Sequence, residues 1–154
     1  MYLNNFQSFV YGFFVFVAIG FMACEKTNET KKIVSFGEVV ELAKTESIWF
    51  GSDTLIGLKF YVDTINDIRC PEDEDIACVW AGEALVNVTA YQKSDSTNFT
   101  LKLSPTKNFK SDTVSFSLNN QSYKGILLKV DPYPNSTKST VTKSATITVL
   151  KINF

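Results

Sequence analysis

The chain has 154 residues, 15 basic against 16 acidic and no histidine, for a formal net charge of −1. That is one domain's worth of polypeptide, and its balanced charge excludes a strongly basic nucleic-acid binder. With 45% apolar and 20% charged residues it is neither a polytopic membrane protein nor a disordered tail. The charge is unevenly spread: residues 1–23 contain no Asp, Glu, Lys or Arg, yet hold Tyr2, Phe6, Phe9, Tyr11, Phe13, Phe14, Phe16 and Phe21. All the charged side chains fall in the other 131 residues, which have the composition of an ordinary soluble domain.

The apolar run from Phe9 to Ala23 is interrupted only by Gly12 and Gly20. A permanent helical span needs roughly 20 apolar residues, so this run is short for a span and the right size for a signal-peptide core. It ends in Phe21-Met22-Ala23-Cys24 and turns abruptly polar from Glu25 to Lys32. The junction resembles a bacterial lipoprotein lipobox, with two departures. Phe21 stands where an aliphatic residue is usual, and no Lys or Arg precedes the apolar run. The resemblance implies a signal peptide over 1–23, lipidation of Cys24 as the first mature residue, a tether over 24–33 and a domain over 34–154. It places the protein on the cell envelope, in the outer membrane of a Gram-negative bacterium, where more than one acyl chain gives stable anchoring. An uncleaved signal anchor, or cleavage elsewhere, is the alternative.

Three cysteines leave one odd thiol. With Cys24 acylated, Cys70 and Cys78 remain to pair as a disulfide in an oxidising compartment. A metal site is the rival, and it is poorly supplied. There is no histidine, both methionines lie in the leader, and structural zinc takes four Cys/His ligands. No metal and no cofactor are expected.

Beyond the tether, period-two alternation recurs between turn residues. Inward rows are read at Ile56, Leu58, Phe60 and Val62; at Val86, Val88 and Ala90; at Phe99, Leu101 and Leu103; and at Val114, Phe116 and Leu118. Further rows follow at Ile126, Leu128 and Val130, ended by Asp131-Pro132-Tyr133-Pro134, and at Ala145, Ile147 and Val149. Val39 to Leu42 reads as an earlier strand or a short helical turn. Breaks fall at Gly51-Ser52-Asp53, Ser94-Asp95-Ser96, Ser104-Pro105 and Asn119-Asn120. The pattern predicts an all-β fold: an antiparallel β-sandwich, Ig-like or similar, of about seven to eight strands with one disulfide.

One block stands apart, Asp67-Ile68-Arg69-Cys70-Pro71-Glu72-Asp73-Glu74-Asp75-Ile76-Ala77-Cys78-Val79-Trp80-Ala81-Gly82-Glu83-Ala84. Its R-C-P…C-x-W-A-G-x-A pattern resembles one in small secreted proteins and lipoproteins of the Bacteroidetes type. Those proteins are similar in the strands flanking the block and in a late Tyr-x-x-x-L-x-x-V-x-P-x-P segment, here Tyr123 to Pro134. The resemblance covers most of residues 50–150 and brings no assigned activity with it. This chain departs in its loop, which is long and acidic at Glu72, Asp73, Glu74 and Asp75. Physically the block reads as a stapled loop. Pro71 fixes φ where the loop begins, Gly82 marks a bulge or close backbone approach, and Trp80 lies on a strand from Val79 and covers the bridge. The functional reading makes Glu72–Asp75 and Trp80 a rigid binding loop; the plainer one makes it a staple.

Chemistry is otherwise sparse. The loop carboxylates Glu72 to Asp75, with Asp67 nearby, are hard ligands suited to Ca²⁺, but their spacing is not that of an EF-hand. Without histidine there is no His-based triad or dyad, and the 7 glycines form no phosphate loop. Trp49, Phe50, Tyr61, Tyr91, Tyr123 and Tyr133 include potential sugar-stacking rings, although strand aromatics more often fill cores. Asp53-Thr54, Asp63-Thr64, Asp95-Ser96 and Asp112-Thr113 resemble the Asp-Ser/Thr sites such bacteria O-glycosylate, and equally are common turn pairs. The expected role is a membrane-anchored envelope protein that binds a protein or glycan partner without catalysis. A carboxylate-dependent glycan hydrolase and a secreted inhibitor wielding the Cys70–Cys78 loop are the competing classes.

Overall fold

Residues 31–72, 77–104, 112–136 and 141–153 are described in the computed structural model. The leader, Cys24 and most of the tether lie outside them, as do Asp73, Glu74, Asp75 and Pro105. Alternation of apolar and polar side chains produces nine strands here and no helix among the described residues. They are β1 (Ile33–Val34), β2 (Val39–Ala43), β3 (Ser47–Phe50), β4 (Leu58–Asp67), β5 (Ala84–Gln92), β6 (Asp95–Leu103), β7 (Asp112–Leu118), β8 (Gln121–Asp131) and β9 (Ser144–Ile152). The unit they build starts at Lys31, and β1 takes in Ile33, the last residue assigned to the tether.

The strands form two sheets, β1-β3-β4-β5-β6 and β2-β9-β8-β7, antiparallel throughout except for the short parallel pair β1–β3. The fold is the expected β-sandwich, with two strands more than the sequence pattern displayed. β1 is too short to show a period, and β3 carries adjacent aromatics, Trp49 half-buried and Phe50 fully buried. Val39 to Leu42 is strand, paired with Ile147 and its neighbours on β9.

The chain runs β3 to β6 as one meander, crosses, and runs β7 to β9 as another. Asn119 and Asn120 join β7 to β8 with φ of 48° and 61°, the pair of positive values a type I′ hairpin turn requires. The β5–β6 turn falls at Lys93, so Asp95 and Ser96 already belong to the strand.

Inward rows from both sheets meet in one core. Ile48, Phe50, Leu58, Phe60, Val62, Val86, Val88, Leu101, Leu127, Ile147 and Val149 are all fully buried there. Six rings close a circuit across it, Phe36–Phe50–Phe60–Phe99–Phe116–Tyr123 and back to Phe36, with centroids 4.7–6.1 Å apart. Such spacings lie in the range of favourable aromatic pairs. The Tyr123 hydroxyl accepts a hydrogen bond from Gln92 Nε2 at 2.9 Å. Burial raises its pKa above the ordinary phenol value, against the lowering effect of that bond.

Two rows differ from the pattern read in the sequence. Ile56 is exposed, because Asp53 Oδ1 accepts hydrogen bonds from the Leu55 and Ile56 amides and holds this segment in a turn before β4. On β8 the inward row is Tyr123, Leu127 and Val130, not Ile126, Leu128 and Val130. The pairing with β9 shifts between Leu127 and Lys129, so Leu128 is the extra residue of a β-bulge and faces out.

Candidate functional site

The stapled block caps the end of the sandwich where β4 finishes and β5 begins. Two rungs extend the β4–β5 ladder past its strands: the Ile68 amide donates to Glu83 O at 2.9 Å, and the Cys70 amide to Ala81 O at 3.0 Å. Gly82 is what allows this approach. Its φ is +69°, and a Cβ there would lie 1.9 Å from the Ile68 carbonyl oxygen. Cys70 and Cys78 are joined as a disulfide, their Cα atoms 6.0 Å apart. The pairing expected from the cysteine count is therefore present.

Beneath the loop lies a polar anchor that the sequence reading passed over. The Asp67 carboxylate receives Arg69 Nε and Nη2, each at 2.7 Å, and Lys143 Nζ at 3.0 Å. The side chains of Asp67 and Arg69 are 2% and 3% exposed. Arg69 also donates to the Val130 carbonyl at 2.8 Å, and its guanidinium lies 4.3 Å from the Tyr133 ring centroid, within cation–π range. Lys143 in addition donates to the Pro132 carbonyl, and the Glu72 amide donates to Pro134 O at 3.3 Å. The stapled block and the Asp131–Pro134 segment, far apart in sequence, are thus one packed unit. Burial opposes ionisation of Asp67, but the hydrogen bonds and positive charges of Arg69 and Lys143 outweigh it and hold the carboxyl below the usual range. Both its oxygens are occupied by these cations, which leaves neither free to serve as an acid or base.

Next to the bridged cysteines and the anchor residues in the chain, three apolar side chains are uncovered. Val79 is fully exposed, Trp80 is 77% exposed and Ile68 51%. The expected placement of Trp80 over the bridge is corrected by this exposure. Residues 77–83 are loop, and the strand starts at Ala84 rather than Val79, because the positive φ of Gly82 breaks the extended run. Of the acidic residues assigned to the binding loop, Glu72 is described, whereas Asp73, Glu74 and Asp75 are not among the described residues. Among the described residues no three acidic, Cys or His side chains converge as a metal site would require.

The aromatic residues singled out in the sequence separate into three groups. Phe50 and Tyr123 are core, and Tyr133 lies against Arg69. Trp49, Tyr61 and Tyr91 sit on the outer face of the five-stranded sheet. The residues missed were Ile68, Arg69, Val79 and Lys143. Asp67 and Arg69, opposite charges two apart on one strand face just before a cysteine, were the only local signal for the anchor. Nothing local points to Lys143, 76 residues from Asp67.

Comparison with protein-family models, with curated proteins and with solved structures finds no match.

Proposed function

We propose that this chain is a lipid-anchored bacterial envelope protein whose sandwich domain binds a protein partner through the exposed Val79–Trp80 segment next to the disulfide, with no chemistry of its own. The observation that carries the reading is Trp80, a large ring held out in solvent beside Val79 on a loop fixed from two sides. An exposed Trp costs hydration free energy in the free protein, and covering it is a leading source of affinity at protein interfaces. The disulfide at Cys78 and the Gly82 contact fix the Val79–Trp80 segment at both ends, and the Asp67–Arg69–Lys143 anchor holds the strand end it pairs with, which lowers the entropic cost of association. In the sequence the acidic run from Glu72 to Asp75 falls between the two bridged cysteines, a composition that suits a partner with an apolar pocket and a basic rim. An inhibitor of an envelope enzyme is the same reading with an enzyme as the partner. Lipidation at Cys24, which rests on the lipobox resemblance, places that contact at a membrane surface.

Affinity capture from detergent-solubilised envelope tests this, with the full chain and its Trp80→Ala variant as baits. Trp80 is exposed, so the substitution is expected to leave stability within about 0.5 kcal/mol while weakening retention of a discrete partner by about 2 kcal/mol or more. Identical retention by both baits would overturn the proposal.

A further inference from the structure

The outer face of the five-stranded sheet carries a second arrangement, separate from the Val79–Trp80 segment. Register fixes it. Trp49, Lys59 and Tyr91 lie opposite one another on β3, β4 and β5, and the next row is Ser47, Tyr61, Thr89 and Asn98. The row after that is Thr64, Asn87 and Thr100. Lys59, Tyr61 and Tyr91 line one open depression of about 290 Å³. Asp63, Thr64, Asn87, Thr89, Asn98 and Thr100 border a neighbouring one of about 370 Å³. The two adjoin because Tyr61 and Thr89 are a cross-strand pair. From the Tyr91 row to the Asn87 row is four residues, about 14 Å along a strand.

The polar half is already ordered. Asn87 Nδ2 donates to Thr64 Oγ1 at 2.7 Å, Thr100 Oγ1 donates to Asn87 Oδ1 at 2.7 Å, and Thr89 Oγ1 donates to Asp63 Oδ2 at 2.8 Å. A register shift between Val62 and Thr64 swings Asp63 to where Thr89 reaches it. Unused capacity remains on the groups that reach the surface: the second Asn87 N–H, and lone pairs on Asp63 and on the Thr64 and Thr100 hydroxyls; Thr89 is buried and orients Asp63. The aromatic half is steadied in turn, with Lys59 Nζ 6.0 Å from the Tyr91 ring centroid.

We infer that this face binds a neutral oligosaccharide. Stacked C–H faces of a sugar match the Tyr61 and Tyr91 rings, and sugar hydroxyls match a fixed row of amide, hydroxyl and carboxylate groups. Within the two depressions the charges are one cation, Lys59, and one carboxylate, Asp63, and that carboxylate in the hydroxyl-lined half opposes a polyanion there; Lys31, whose Nζ is 5.9 Å from the Trp49 ring centroid, adds a cation at the outer end of the first row. Apart from Phe99 and the buried Val88, the residues lining the two depressions are the two tyrosines, one lysine and groups that donate or accept hydrogen bonds.

The test is calorimetric titration of the full chain in detergent micelles with cellohexaose, mannohexaose and chitohexaose. At least one is expected to bind with a Kd of about 1 mM or tighter. Tyr61→Ala and Tyr91→Ala should each weaken that binding about tenfold or more. Tyr91→Phe, which keeps the ring, should retain it and so shows that the Ala variant's loss is one of stacking. Trp80→Ala should leave sugar binding unchanged, which separates this site from the Val79–Trp80 segment. Absence of binding by all three sugars, or binding that survives both Tyr→Ala substitutions, would overturn the inference. Concentration-dependent dimerisation abolished by Tyr91→Ala would overturn it too, by showing that a second copy covers the face.

Discussion

Arg69→Ala removes the centre of the anchor beneath the loop. Asp67, with a side chain 2% exposed, would keep only Lys143 and the residue-69 backbone amide, 3.3 Å from its Oδ1, the Val130 carbonyl would lose the guanidinium donor, and the Tyr133 ring would lose the cation against it. Taking away one member of a buried pair costs about 3–5 kcal/mol. Lys143 is 24% exposed and stays 3.0 Å from Asp67, which favours the lower end, about 3 kcal/mol. For a domain of this size that corresponds to a melting temperature lower by about 10 °C. Urea unfolding at pH 7, followed by far-UV circular dichroism, measures the loss. The Asp67→Asn/Arg69→Met double variant should lose less than Arg69→Ala alone, because both fully buried charges are gone and Lys143, 24% exposed, keeps the Pro132 carbonyl as an acceptor. Acid adds a second signature. Asp67 takes up its proton less readily folded than unfolded, so its contribution is complete above the ordinary Asp pKa of about 4 and fades as pH falls through the lower folded value. The stability gap between the wild type and Asp67→Asn should therefore narrow from pH 5 to pH 2. A loss below about 1 kcal/mol for Arg69→Ala, as for a solvated ion pair, or a gap that widens in acid, would refute the reasoning.

Other consequences are more local. Cys70→Ala/Cys78→Ala should cost about 2–3 kcal/mol, the chain-entropy value for so short a closed loop, read as a lower urea midpoint; no change would mean the ladder rungs alone hold the loop. Gly82→Ala should cost at least about 2 kcal/mol, since φ of +69° and the Ile68 carbonyl both oppose a Cβ, whereas Gly37→Ala, whose Cβ meets only ordinary contact, should cost less by the same unfolding assay. Cys24→Ala should keep the precursor size and lose acyl labelling in whole cells. A Cys24→Ala protein that still carried acyl label would remove the lipid anchor from the account.

Where one residue alternated with the next along a regular ladder, the sandwich was readable in advance, as on β5, where Val86, Val88 and Ala90 point inward as expected. The pattern failed where a backbone irregularity intervened. Leu128 lies outside because a bulge adds a residue to β8, and no Gly or Pro at that point announces it. Val79-Trp80 has the residue types of a strand, yet Gly82, two residues on, ends any extended run. The disulfide followed from counting cysteines. The anchor did not, because its energy lies in contacts spanning 61 and 76 residues, between groups that each look like surface charges in the sequence. The outer-face rings were visible one by one; only the register of β3, β4 and β5 makes neighbours of Trp49, Tyr61 and Tyr91.

The contact surface itself is tested most directly by photocrosslinking in intact cells, with p-benzoylphenylalanine placed at Trp80 of the full chain and, separately, at the exposed positions Ser96 and Ser117. A fixed Val79–Trp80 segment that docks into a partner predicts one discrete adduct from position 80, with none from position 117. Position 96, at the edge of the sugar-facing sheet, should likewise give no protein adduct. The same adducts from all three positions, or none from position 80, would contradict it.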